Sequence, residues 1–125
     1  MSLVFKHIDS DNQLVDIKKD WKLLDVQTQH HSICSSYEWV YNWWTVFKNV
    51  ENNKIGYDKE LVIVCAYDDA RLILVCPLMK LRRKKFGLNI RFIEFIGQQW
   101  SGFYYDIVAC KQYNDRFNEI QYYLK

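Results

Sequence analysis

The segment Trp100-Ser101-Gly102-Phe103-Tyr104-Tyr105-Asp106 gathers an indole, a hydroxyl, two phenols and a carboxylate into seven residues. Asp106 is the candidate catalytic group. A carboxylate among aromatic rings loses hydration, its pKa rises, and it becomes a competent general base or an anchor for an amine. Trp100, Ser101, Tyr104 and Tyr105 are the candidate substrate-binding residues around it. Tyr105 and Asp106 alternate, so on a strand they face opposite sides and one cleft receives only one of them. The ordinary alternative is a strand-end carboxylate in solvent or paired with a basic residue.

Two other groupings carry less. His30 and His31 with Cys34 give an H-x-x-C spacing, but zinc takes three or four ligands and no second pair exists. No metal site is expected. The run Lys80-Leu81-Arg82-Arg83-Lys84-Lys85 places five positive charges in six residues. Such a run attracts the phosphates of coenzyme A, an acidic glycan or nucleic acid, or it is a solvated hairpin tip. A formal net charge of only +2 and the lack of a known motif argue against nucleic acid.

These residues need a frame. A chain of 125 residues makes one domain, 1–125, and can bury its own core. The aromatic content of 17% points to a core built on large rings. The longest apolar run, Leu72 to Met79, is far too short to span a bilayer, and no export signal opens the chain. No membrane partner is therefore expected, and the cytoplasm is the default location. The four cysteines, at 34, 65, 76 and 110, form no C-x-x-C and read as reduced structural thiols.

Leu3 to Ile8 reads as an opening strand, and Asp16 to about Thr28 as a helix with Ile17, Trp21 and Leu24 on one face. Ser35 and Glu38 fit a capping box for a second helix, with Cys34 and Trp39 as its hydrophobic staple. In that helix Trp39, Val40, Trp43, Trp44 and Phe47 fall within an arc of about 140°. The clustered tryptophans thus read as a core face, with one ring such as Trp44 left to edge a cleft. Leu61 to Tyr67 and Arg71 to Met79, joined at Asp68-Asp69-Ala70, read as a hairpin covered on both faces. Strands over Ile90 to Ile96 and Phe103 to Cys110 follow, then a helix from about Asn114 to the end. That helix is apolar in its last turn and has no stop signal, so the chain reads as a fragment of something longer.

In order and spacing these elements resemble the amino-terminal half of the CelD-like acetyltransferases, relatives of the GNAT and FemAB-type acyltransferases. The matching residues are Trp21-Lys22-Leu23-Leu24, Ser35-Ser36-Tyr37-Glu38-Trp39 with Trp43-Trp44, Val75-Cys76-Pro77-Leu78, Phe95-Ile96-Gly97 and Tyr104-Tyr105-Asp106. The resemblance covers nearly the whole chain. It implies an α+β fold, a GNAT-like half of order β-α-α-β-β-β-(β)-α with a mainly antiparallel sheet flanked by helices. It implies an acceptor-side domain, inactive alone, in a protein that moves an acyl group from acetyl-CoA or another acyl-CoA to an amine or hydroxyl. The partner is then a missing carboxyl-terminal half, or a second copy of the chain. One departure stands out. The family's acyl-CoA loop, R/Q-x-x-G-x-G/A, is not matched by Gly97-Gln98-Gln99-Trp100-Ser101-Gly102. This chain by itself is therefore expected to bind no cofactor. The competing expectation is a non-catalytic interaction or assembly domain.

Overall fold

The structure, a computed structural model, describes residues 3–28, 35–98 and the backbone of 108–109. Strand β1 is Leu3–Ile8, as expected. The single helix expected from Asp16 is instead two. The Ser10 hydroxyl accepts from the Gln13 amide at 3.2 Å and starts α1, Asp11–Asp16; Ile17 joins it to α2, Lys18–Gln27. Ile17, Trp21 and Leu24 are buried on one face, as their spacing predicts, and Leu14 extends that face upstream. The short α1 escapes a sequence reading because Asp11, Asn12 and Asp16 are poor helix formers inside a helix.

Helix α3 is Tyr37–Phe47, and its start corrects the expected cap by one residue. Ser36, not Ser35, accepts from the Trp39 amide at 3.4 Å, while Glu38 turns away to Lys22 at 2.8 Å. Contacts from elsewhere in the fold decide this register. The Tyr37 amide donates to Asp25 Oδ2 of α2 at 3.0 Å, doing the work a local cap would do. The Tyr37 ring is buried, stands edge-on to Trp21 at 5.3 Å, and donates its hydroxyl to the Leu14 carbonyl at 3.0 Å. Burial pushes its phenol pKa up to about 12, with Tyr41 adding to the shift. Val40, Trp43 and Trp44 are buried, and Glu38, Asn42, Thr45 and Asn49 are exposed, as the stripe predicts. Cys34 of the expected staple lies outside the described residues.

The strands form two antiparallel sheets rather than one. They are β2 Tyr57–Leu61, β3 Ile63–Asp68, β4 Arg71–Cys76, β5 Leu78–Lys85, β6 Leu88–Phe95 and β7 Val108–Ala109. One sheet has the order β1-β3-β4-β7 and the other β2-β5-β6. The runs that read as two long strands each change sheets part-way, at Val62 and at Pro77. Pro77 has no amide to give a ladder, so β4 ends before it. At that corner the Val62 amide donates to the Leu78 carbonyl and the Ile96 amide to the Pro77 carbonyl, each at 3.0 Å. The basic run is therefore not a tip but most of strand β5; the turn proper is only Phe86-Gly87.

Helix α2 packs on β4, and Ile63, Cys65 and Val75 join Trp21, Leu24 and Tyr37 in one core cluster. Val64, Ala66, Leu74 and Cys76, which face the other way, are buried too. The expectation of a hairpin covered on both faces is met. The Cys65 and Cys76 side chains are both buried. The mixed α+β class holds, with three helices and seven strands among the described residues. The expected final helix lies outside them.

Candidate functional site

The sequence-derived candidates Trp100, Ser101, Tyr104, Tyr105 and Asp106, like His30 and His31, lie outside the described residues. The structure gives the two ends of their segment. Upstream, β6 ends at Phe95 and a turn at Ile96-Gly97 follows; downstream, β7 pairs with β4 through Leu74↔Ala109 and Val75↔Val108.

Gly97 is held beneath α3. Its φ of +81° suits glycine, and a Cβ there would lie 3.0 Å from Trp43 Cδ1 and 3.2 Å from Trp39 Nε1. The indole nitrogens of Trp39 and Trp43 are both buried without an acceptor among the described residues. Indoles donate and do no acid–base work, so this pair suits a carbonyl or carboxylate oxygen. The sequence places the tryptophans on a core face, but it carries no signal that two of the rings meet one glycine.

A second concave region lies between the first two helices and β1/β3. Lys6, His7, Gln13, Asp16, Ile17, Asp20, Cys65 and Tyr67 line a cavity of about 190 Å³. The Lys6 ammonium lies 5.1 Å from the Tyr67 ring centroid. Burial raises the Tyr67 phenol pKa, with Cys65 and Asp20 adding to it, so the hydroxyl keeps its proton and can act as a hydrogen-bond donor. Burial also pushes the Cys65 thiol up to about 12, which makes it a poor nucleophile. Two carboxylates, Asp16 and Asp20, can receive an ammonium group here, with Lys6 of the same lining offsetting one of the two charges. Its residues come from β1, α1, α2 and β3, so no local spacing announces it.

The third feature is the three-stranded sheet. Inside it Arg83 donates to both Glu94 oxygens and to the carbonyls of Asn53 and Lys54. On the opposite face Lys80 pairs with Glu60 at 3.5 Å and Arg82 with Asp58 at 3.0 Å, so the run is largely neutralised. Lys84, Lys85 and Arg91 have no carboxylate partner among the described residues. No group of three or more His, Cys, Asp or Glu side chains suited to a metal ion is present among the described residues. No helix among them is long and apolar enough to cross a membrane.

No known protein family, curated protein or solved structure matches this chain.

Proposed function

We propose that this chain is the acceptor-side half of a GNAT-type acyltransferase, acting with a second half that holds the acyl-CoA. The observation that carries the reading is the meeting of separated parts of the resemblance at one place. Trp39 and Trp43 of α3 seat Gly97, and the neighbouring Ile96 bonds to Pro77. The strand order β1-β3-β4-β7, with the helices inserted after β1, is compatible with an antiparallel GNAT-like half.

The described residues fit an acceptor better than a coenzyme. Asp16 and Asp20 suit an amine, whereas a pyrophosphate wants a cradle of backbone amides at a helix start. When bound to the other half, the acyl-CoA supplies a thioester carbonyl. That thioester would be the acyl donor, and an amine held at Asp16 and Asp20 would be the acceptor. This chain's part is to orient the amine and to keep it partly desolvated.

Calorimetry with acetyl-CoA and a thiol-release assay with an amine panel test the reading. Residues 1–125 are expected to bind no acetyl-CoA. The product of the full reading frame is expected to release thiol when an amine is added. Tight acetyl-CoA binding by residues 1–125 alone sinks the division of labour. So does a reading frame that continues without an R/Q-x-x-G-x-G/A loop. A non-catalytic interaction domain is the second reading, favoured by one feature, the exposed tip at Phe86.

A further inference from the structure

Strands β5 and β6 form a ribbon whose end carries exposed apolar and basic side chains. Beyond the Tyr57↔Arg82 pair it continues past the last β2 pairing through Arg83↔Ile90, Lys84↔Asn89 and Lys85↔Leu88. Asn53 braces it there, its side chain accepting from the Lys84 amide at 2.8 Å and donating to the Lys84 carbonyl at 3.2 Å. The Phe86-Gly87 turn has φ of +54° and +75°, the primed geometry that matches the twist of a hairpin. Asparagine or aspartate normally fills the first of these positions. A bulky residue at positive φ is a true outlier.

The strain at Phe86 has no compensation inside the fold, because its side chain is 99% exposed. Leu88 beside it is 65% exposed. Of the ribbon's cations without a carboxylate partner among the described residues, Lys85 and Lys84 lie in the first two residue pairs from the turn, their ammonium groups over the Phe92 and Tyr57 rings, and Arg91 lies in the fourth, opposite Arg82. An apolar apex with a cationic collar is the pattern of a side chain that enters a bilayer interface while ammonium groups meet lipid phosphates.

We propose that the Phe86 tip docks this domain end-on to an anionic membrane surface, with Phe86 and Leu88 entering the interface and Lys84, Lys85 and Arg91 contacting anionic headgroups. This replaces the expectation of no membrane partner, which followed from the absence of a spanning run; interfacial docking needs none. Charge placement favours a planar surface over nucleic acid. Along the length of the ribbon Glu60 and Asp58 neutralise Lys80 and Arg82, so a duplex lying lengthwise would meet carboxylates. The cations without a carboxylate partner begin at Arg91, level with Arg82, and continue through Lys84 and Lys85 to the turn. The proposal does not depend on acyl transfer.

Vesicle co-sedimentation of residues 1–125 tests it, using phosphatidylcholine alone and phosphatidylcholine with about 30% phosphatidylserine. Binding is expected only to the anionic vesicles and is expected to weaken strongly in 0.5 M NaCl. Phe86→Asn suits the turn, so the fold is kept, and it is expected to lower partitioning about tenfold. Lys84→Gln with Lys85→Gln is expected to lower it roughly 30-fold, about fivefold for each charge. Binding that is equal on neutral vesicles, or unchanged in Phe86→Asn, overturns the proposal. So does tight binding to duplex DNA or RNA with none to vesicles.

Discussion

Arg83 and Glu94 form a buried, two-pronged ion pair, with Nη1 to Oε2 at 2.7 Å and Nη2 to Oε1 at 2.8 Å. Both side chains are more than nine-tenths buried, and the guanidinium also reaches the Asn53 and Lys54 carbonyls. The pair ties the loop before β2 to the β5–β6 ribbon. Removing one partner strands a charge in the interior, which costs about 3–5 kcal/mol, whereas an apolar pair of similar size costs far less. Glu94→Ala is therefore expected to lower the urea midpoint more than Arg83→Met combined with Glu94→Leu. A single variant as stable as the double would show that the pair carries no such penalty.

Gly97 and Gly87 separate strain from crowding. Both have positive φ, but a Cβ at Gly97 meets Trp43 and Trp39, while one at Gly87 meets nothing within 4 Å. Gly87→Ala is expected to cost about 1 kcal/mol, the left-handed penalty alone. Gly97→Ala adds contacts at 3.0 and 3.2 Å and is expected to cost about 2–3 kcal/mol. Thermal denaturation followed by circular dichroism reads both losses. Equal losses would remove the tryptophan seat as a constraint on the chain at Gly97.

The parts of the fold legible in the sequence were those fixed by local periodicity. The Ile17/Trp21/Leu24 face, the Trp43/Trp44 stripe and the apolar hairpin each follow from spacing, and each is buried. What escaped depends on partners far along the chain. The α3 start is set by Asp25 and by Tyr37 reaching Leu14, twelve and twenty-three residues away. The run at Lys80 reads as a solvated tip because charge outweighs alternation. Its real pattern, Lys80, Arg82 and Lys84 on one face and Leu81 and Arg83 buried on the other, becomes visible only when Glu94 and the carboxylates of β2 are placed opposite. The cleft at Asp16 and Asp20 was illegible because four elements build it.

Trp43 and Trp44 are both buried, but among the described residues only Trp44 has an acceptor for its indole, Asp11 Oδ1 at 2.8 Å. A buried donor without a partner carries a desolvation penalty that phenylalanine removes. Trp43→Phe loses ring volume and regains that penalty; Trp44→Phe loses ring volume and a hydrogen bond to a charged group. Trp44→Phe is expected to be the more destabilising by about 1 kcal/mol. Chemical denaturation of the two variants decides the order, and the reverse order would mean that the Trp43 N–H has an acceptor in solution.

Asp11 gives the same contact a pH signature. Its carboxyl is held below the usual carboxylate value of 3.8, first by the hydrogen bond from Lys48 and then by that from Trp44. A depressed folded-state pKa contributes stability that is present above the unfolded value and is lost as pH falls through the folded one. Asp11 is about half exposed, so solvent screening keeps the contribution near ~1 kcal/mol. Asp11→Ala is expected to be destabilised by that amount at pH 7, with the gap from the parent chain closing below about pH 4. Because Asp11 and Trp44 share one bond, Asp11→Ala combined with Trp44→Phe is expected to cost less than the sum of the two single changes. A gap that persists unchanged to pH 2, together with strict additivity, would show that the Asp11 contact with α3 is not ionic.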